Sequence, residues 1–137
     1  MTGKGKNRGP SMIDVMKTLH NDKSLCLFNS IAIEPDHDTI TIMTNLNVRR
    51  THLYKMMASL LKTGLVRRIH GKYTLTSMGK IVYHAQNMIG NAIQDYWKLK
   101  LLDSMQDNNI PIEERNGIID SIIDNKTLKT IIEGALT

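Results

Sequence analysis

One face of a predicted helix over residues 49–63 groups cationic and hydroxyl side chains at helical spacing. An α-helix turns by about 100° per residue, so these residues lie opposite an apolar stripe that begins at Leu53. Lysine and arginine bind phosphate groups, and guanidinium and hydroxyl groups hydrogen-bond base edges in the DNA major groove. The residues of this helix predicted to contact double-stranded DNA are Arg49, Arg50, Thr51, Tyr54, Lys55 and Ser59. The alternative is an ordinary surface helix with scattered positive charge.

The charge distribution favours the first interpretation. The formal net charge of the 137 residues is only +5, but residues 49–80 contain eight lysines and arginines and no aspartate or glutamate. We call residues 49–80 the basic block. A segment without compensating acids creates a positive field, and the commonest natural partner of such a field is a polyanion.

A β-hairpin is predicted directly after the basic helix, over residues 65–76. Its apolar residues alternate along two short strands, and His70 and Gly71 occupy the turn, where glycine readily adopts a positive φ. Cations crowd the turn and its approaches. The hairpin residues predicted to reach phosphates beside the groove are Arg67, Arg68, His70 and Lys72.

The elements before the basic helix are predicted to form the body that supports it. Apolar residues at helical spacing follow Ser11 and predict a first helix. Asp14 lies three residues after Ser11, so the two residues resemble a capping box at the start of this helix. Residues 25–33 form a second, nearly continuous apolar helix. Cys26 lies within this run, and we therefore expect it to be a buried structural thiol.

The segment immediately before the basic helix has the order of a helix-turn-helix. Residues 39–41 alternate as in a short strand, and residues 42–46 are predicted to form the first helix. Asn47 and Val48 then make the turn, so the basic helix over 49–63 becomes the second helix of the motif. In DNA-binding proteins of this type the second helix enters the groove.

A long helix is predicted over residues 77–106, after the hairpin. Apolar residues recur alternately every four and three positions, as in a coiled-coil seam. A small domain cannot cover so long an apolar face, so the pattern predicts a homodimer through helix 77–106. A C-terminal segment that folds back over the helix is the alternative, and one or two short helices are expected there. The residues predicted at the dimer interface are Met78, Val82, Ala85, Ile89, Ala92, Tyr96 and Leu99.

The sequence does not predict enzymatic chemistry. The five histidines are dispersed over separate predicted elements, and there is no nucleophile elbow, Gly-rich phosphate loop or set of residues at metal-ligand spacing. Residues 36–38, Asp-His-Asp, are interpreted as a solvated loop because adjacent positions cannot all converge on one ion. We therefore expect no cofactor and no metal site.

The N-terminal residues 1–10 are basic and rich in glycine, without apolar anchors, and are predicted to form a disordered arm. A signal peptide would require an apolar segment after the N-terminal cations, and this sequence has none there. No apolar run is long enough to cross a membrane. These features predict a cytoplasmic, nucleoid-associated protein without a membrane partner.

The string LNVRRTHLYKMMASLLKTGLVRRIHGKYTLTSMGKIVY resembles archaeal winged-helix regulators of the ArsR/MarR-like group. Their pattern is L-x-x-x-G-L-[VI]-x-[RK] followed by x-G-x-Y-x-L-T-x-x-G. The resemblance covers about residues 11–105. The positions that carry it are Leu60, Gly64, Leu65, Val66, Arg68, Gly71, Tyr73, Leu75, Thr76 and Gly79.

The resemblance implies double-stranded DNA binding by a homodimer, with Arg50, Thr51, Tyr54 and Lys55 in the major groove. It implies that the basic hairpin is a wing on the backbone or in the minor groove. Arg49 departs from the family pattern, because a Ser or Thr often caps the helix at this position. The cap must therefore come from Asn47 or be absent.

Together these features predict a mostly α fold with a small β-hairpin. A winged helix-turn-helix domain over residues 11–76 would be followed by a helical dimerisation region over 77–137. The predicted function is that of a dimeric double-stranded DNA-binding transcription regulator. The alternatives are a non-specific architectural, chromatin-like DNA-binding protein and a winged-helix module for protein interaction. The sequence identifies no effector.

Overall fold

The computed structural model describes residues 8–34 and 38–134. The described chain is mostly helical and contains a small antiparallel hairpin, as predicted. None of its helices combines the length and apolar character needed to cross a bilayer. In chain order the elements are α1 Met12–Thr18, α2 Asp22–Ile33, α3 Thr39–Leu46, α4 Arg50–Lys62, β1 Val66–Ile69, β2 Lys72–Leu75, α5 Ser77–Gln94, α6 Tyr96–Asp107, α7 Ile112–Ile122 and α8 Lys126–Ile132.

The chain divides into two compact units, residues 1–84 and residues 85–137. The predicted boundary after residue 76 falls earlier than this division, because α5 begins in the first unit and Val82 and Tyr83 pack against the first core. The predicted disordered arm, residues 1–10, lies mostly outside the described residues, as do two of the three residues of the Asp-His-Asp string.

The first unit packs α1 to α4 and the hairpin around one apolar core. α2 contributes the fully buried Leu27 and Phe28, and α4 contributes Leu53 and Leu60, also fully buried. The buried apolar residues lie at positions 53, 56, 57 and 60 of α4 and at 27, 28 and 31 of α2. This helical spacing puts each set on one face of its helix. Complete burial of such side chains contributes about 1.5–3 kcal/mol each.

Side chains cap the first two helices. Ser11 and Asp14 form the predicted capping box at the start of α1: the Ser11 N–H donates to the Asp14 carboxylate at 2.9 Å, and the Asp14 N–H donates to the Ser11 hydroxyl at 3.1 Å. The first of these bonds lowers the pKa of Asp14 below its ordinary value of 3.8. At α2, the Asn21 side chain accepts the Ser24 N–H at 2.9 Å.

Two local predictions in this unit are wrong. Residues 39–41 form the first turn of α3 and not a strand, because the Asp38 carboxylate accepts the Thr41 N–H at 2.7 Å and so caps a helix at this point. Cys26 is exposed and not buried. The apolar run of α2 is not buried all round, because its core face is formed by Leu27, Phe28 and Ile31.

The second unit has a separate core made by α6, α7 and α8 with part of α5. Its most buried residues are Leu102 of α6, Ile119 of α7, Ile123 between α7 and α8, and Leu128 of α8. Ile123 and Asn125 lie between α7 and α8, and the Asn125 side chain accepts the Leu128 N–H at 3.0 Å, which caps α8. The C-terminal segment therefore folds back within its own unit, as the alternative interpretation proposed.

The single long helix predicted over residues 77–106 is wrong. α5 ends at Gln94, and α6 begins at Tyr96. Between them Asp95 has φ −93° and ψ 14°, outside the helical values, although its N–H still bonds the Asn91 carbonyl at 3.1 Å. Aspartate is a weak helix former that favours the position just before a helix. The periodic apolar pattern continued through this residue and concealed the break.

Candidate nucleic-acid interface

α4 separates an apolar face from a basic face as the sequence predicted. Leu53, Met56, Met57 and Leu60 are buried in the first core. Arg50, Thr51, Tyr54 and Lys55 are all exposed, and about half of the Tyr54 side chain is accessible. The expected apolar residue Leu61 is 39% exposed and lies at the edge of the buried stripe.

The start of α4 is open. Arg49 occupies the cap position with φ −76° and ψ 154°, and it makes no side-chain hydrogen bond to the helix. The expectation that Arg49 would not cap α4 is therefore confirmed, and Asn47 does not replace it, since it ends α3. The first N–H groups of any helix lack partners within the helix. Here they lie beside two exposed arginines, Arg49 and Arg50, which is a favourable combination for a phosphate group.

The turn before α4 is held by a contact that the sequence did not reveal. Asn47 ends α3 in the left-handed conformation, with φ 53° and ψ 52°. The Lys23 ammonium, from α2, donates to the carbonyl of Leu46 at 3.3 Å and to that of Asn47 at 3.1 Å. A cation at a helix C-terminus is favourable. Lys23 therefore ties α2 to the turn that orients α4.

Glycine ends α4 and starts the hairpin. Gly64 has φ 78°. The Gly64 N–H donates to the Leu61 carbonyl at 3.2 Å, and the Leu65 N–H donates to the Leu60 carbonyl at 3.1 Å. This bond pair is the Schellman motif. The chain thus leaves α4 in a defined direction, and Leu65 enters the core fully buried.

Thr76, which follows β2, bonds the chain between α4 and β1. The Thr76 N–H donates to the Leu65 carbonyl at 3.1 Å, and the Thr76 hydroxyl donates to the Gly64 carbonyl. The hydroxyl also accepts the Gly79 N–H at 2.9 Å, so it caps α5. A Cβ atom on Gly79 would lie 2.0 Å from the Leu65 carbonyl oxygen.

These contacts give a physical reason for the Gly-Leu and Thr-x-x-Gly elements of the sequence pattern. Gly64, Leu65, Thr76 and Gly79 meet where α4 ends, where β1 begins and where α5 starts. We call these four residues the junction. The junction ties the end of the basic helix to the base of the basic hairpin and to the start of α5.

The hairpin has the predicted two-residue turn. β1 pairs antiparallel with β2, and the pair Ile69↔Lys72 closes the ladder. His70 and Gly71 have φ 52° and 77°, the positive values that a type I′ turn requires at both central positions. The turn therefore projects His70 at the tip, where it is exposed.

The two arginines of β1 point to opposite faces of the hairpin, because successive side chains of a strand alternate. Arg68 shares a face with its partner Tyr73, and its guanidinium carbon lies 5.5 Å from the centre of the Tyr73 ring. This distance is within cation–π range. Arg67 lies opposite Thr74 on the other face. The prediction from sequence placed both arginines in one phosphate-binding set, although the alternation of side chains along a strand puts them on opposite faces.

All ten residues predicted to bind DNA are exposed, and so are all eight cations of the basic block. The basic block contains no aspartate or glutamate, so its exposed positive charge is not balanced within the block. Ser59 is set apart from the others. It lines a groove with three cations, Arg8, Lys17 and Lys62, and with one carboxylate, Asp14.

The predicted dimer seam is divided between two environments. Val82 packs against the core of the first unit, and Leu99 packs against the core of the second. Ala92 is half-buried, whereas Met78, Ala85, Ile89 and Tyr96 are exposed. Ile93, Trp97 and Leu101 are further large apolar side chains of the second unit that are exposed.

Among the described residues, no three His, Cys, Asp or Glu side chains lie close enough together to hold a metal ion. Comparison of the chain with protein-family models, with curated proteins and with solved structures found no match.

Proposed function

We propose that the protein is a dimeric transcription regulator that binds double-stranded DNA through a winged helix-turn-helix. In this proposal α3 and α4 are the two helices of the motif, and α4 is the recognition helix in the major groove. The hairpin is the wing. The observation that supports the proposal is the junction, because it ties the end of the basic helix to the base of the basic hairpin.

Each part of this surface has a separate task. Arg50, Thr51, Tyr54 and Lys55 lie on the exposed side of α4, where donors reach base edges. Arg68, His70 and Lys72 lie on or near the hairpin tip and bind phosphates. Contacts of the second kind position the protein and carry no direct sequence information.

The homodimer is proposed to form through the exposed apolar side chains of the second unit. Ile89, Ile93, Tyr96, Trp97 and Leu101 are each at least half exposed. Exposed apolar side chains that cluster mark interaction surfaces. Ile89 and Tyr96 belong to the predicted seam, whereas Val82 and Leu99 are already used inside their own units.

Fluorescence anisotropy tests the proposal. A labelled mixed-sequence duplex and a set of genomic fragments are titrated with the protein at two salt concentrations. If each subunit neutralises about four phosphates, the slope of log K against log salt is about −7 for a dimer. Tight binding to a few fragments supports a sequence-selective regulator. Equal binding to all fragments supports a non-selective architectural protein, and no binding at low salt refutes both.

Three matched variants locate the surface. Arg50→Ala is expected to weaken discrimination between sites by about 1–3 kcal/mol, the loss of one base contact. Arg68→Ala is expected to weaken all duplexes alike and to reduce the salt slope by about 0.9 per subunit. Lys126→Ala removes the same charge from an exposed position in the second unit and should leave binding unchanged. If Arg50→Ala and Arg68→Ala bind as the wild type does, α4 and the hairpin are not the DNA-binding face.

A further inference from the structure

A groove in the first unit lies between residues 8–10, α1 and the C-terminal end of α4. Its volume is about 350 Å³. The lining residues are Arg8, Gly9, Pro10, Asp14, Lys17, Thr18, Ser59, Lys62 and Thr63. α1, which is not part of the proposed helix-turn-helix, therefore shares a groove with the basic helix.

Cations outnumber carboxylates in this groove. Arg8, Lys17 and Lys62 are exposed, and Asp14 is the one carboxylate among the described lining residues. Three cations and one carboxylate leave two positive charges. A concave site of this charge attracts anions.

The carboxylate of the groove is already engaged within α1. It accepts the Ser11 N–H at 2.9 Å in the capping box. Its pKa is lowered mainly by its bonds to Ser11 and further by the positive charges of Lys17 and Lys62. Ammonium groups from α1 and from α4 thus act on one point of the groove.

The two threonines of the groove donate to the backbone of their own helices. The Thr18 hydroxyl donates to the Asp14 carbonyl at 2.9 Å, and the Thr63 hydroxyl donates to the Ser59 carbonyl at 2.8 Å. A hydroxyl has one hydrogen to donate. The side-chain donors that the described lining offers to an anion are therefore the three cations and the Ser59 hydroxyl.

The groove continues the exposed face of α4. Thr51, Lys55, Ser59 and Lys62 are exposed and spaced by four, four and three residues, so they are neighbours along one helix face. α4 has 13 residues and is about 20 Å long, whereas the major groove of DNA is about 12 Å wide. When the first turns of such a helix read bases, its last turn extends to the sugar–phosphate backbone that borders the groove.

We propose that the groove between α1 and the end of α4 binds a phosphate of the DNA backbone, beside the base pairs that α4 reads. This inference rests on the proposed function and extends its surface to α1. Lys17 and Lys62 hold the phosphate from two helices, and Arg8 supplies a third cation. Such a contact fixes the register of the protein on the duplex without reading its sequence.

Two variants that remove a charge test the groove by fluorescence anisotropy with unrelated duplexes. Lys17→Gln and Lys62→Gln should each weaken all duplexes alike and reduce the magnitude of the salt slope by about 0.9 per subunit. Lys126→Gln is the matched control, because it removes the same charge from an exposed position of the second unit. It should leave the affinity and the slope unchanged. Circular dichroism checks that all three variants are folded.

Asp14→Asn tests the same groove with the opposite sign. The asparagine oxygen can still accept the Ser11 N–H, so the cap is kept while the negative charge is lost. Removal of this charge should tighten binding to every duplex by about two- to fivefold. Unchanged or weaker binding by the folded variant would overturn the inference.

Single methylphosphonate replacements, which remove the charge of one phosphate at a time, locate the contact in a tightly bound duplex. Replacement of the phosphate held by the groove should weaken the wild type but not the double variant Lys17→Gln/Lys62→Gln. If the double variant binds every duplex as the wild type does, the inference is wrong and the proposed function stands. In that case, calorimetry with inorganic phosphate that binds the wild type and not the double variant would assign the groove to a free anion. If the wild type binds no duplex even at low salt, the inference and the proposed function are both refuted.

Discussion

The substitution Gly79→Ala tests whether the junction is as close-packed as the structure shows. Gly79 lies in the first turn of α5 and does not need a positive φ, so helix propensity alone predicts that alanine is better by about 0.8–1.0 kcal/mol. The tertiary contact predicts the opposite. The added Cβ would lie 2.0 Å from the Leu65 carbonyl oxygen and 3.0 Å from the carbonyl carbon. An ordinary carbon–oxygen contact requires about 3.3 Å or more.

The carbonyl and the helix must therefore separate by about 1.3 Å. The oxygen in question also accepts the Thr76 N–H at 3.1 Å, and Thr76 in turn caps α5 through the Gly79 N–H. Overpacking costs about 1–3 kcal/mol, and two weakened hydrogen bonds cost about 1–2 kcal/mol more. After subtraction of the gain in propensity, Gly79→Ala should destabilise the first unit by about 1–4 kcal/mol.

The assay is urea unfolding followed by far-ultraviolet circular dichroism. Gly90→Ala is the matched control in the same helix, because nothing lies within 4 Å of its added Cβ, and it should stabilise by about 0.8–1.0 kcal/mol. The two changes are identical in chemistry and should have opposite signs. If Gly79→Ala is as stable as the wild type, α5 does not press on the Leu65 carbonyl, and the account of the junction is refuted.

Three other predictions concern separate parts of the molecule. The pKa of Asp14 is lowered by its bond to the Ser11 N–H. The contribution of this carboxylate to stability is therefore present above about pH 3.8 and is lost as the pH falls through the lower pKa of the folded state. An NMR titration of the Asp14 carboxyl carbon measures this pKa, and a value above 3.8 would contradict the capping box. Lys23→Met removes both bonds to the end of α3 and should lower the free energy of unfolding in urea by about 1 kcal/mol. A variant as stable as the wild type would show that these two bonds do not stabilise the turn. Trp97 is 78% exposed, so Trp97→Ser should change stability by less than about 0.5 kcal/mol but shift sedimentation equilibrium towards monomer; an unchanged mass would exclude Trp97 from the interface.

The sequence by itself determined the elements whose signals are local. The buried stripe of α4 follows from helical periodicity, and its observed bounds, Arg50–Lys62, lie within a residue of the predicted ones. The turn at His70 and Gly71 follows from the need for positive φ. The exposure of the eight cations follows from the cost of burying an unpaired charge.

Other local signals misled because a neighbouring group outweighed them. The alternation of residues 39–41 indicated a strand, but the Asp38 cap made them helical. The apolar period of residues 77–106 indicated one helix, but Asp95 interrupts it. Periodicity records which side chains face a core, and it is insensitive to a single residue that changes the direction of the backbone.

Only the tertiary structure decided the relations between elements. Lys23 reaches carbonyls 23 and 24 residues away, and Gly79 meets the carbonyl of Leu65, between α4 and β1. Arg67 of the hairpin lines one cavity with Lys80 and His84 of α5 and with Ile31 of α2. No period in the sequence encodes such distances, because they depend on how the helices and the hairpin fill one core. The exposed residues of the basic block could thus be predicted from the sequence, whereas the junction that ties the basic helix to the hairpin could be found only in the fold.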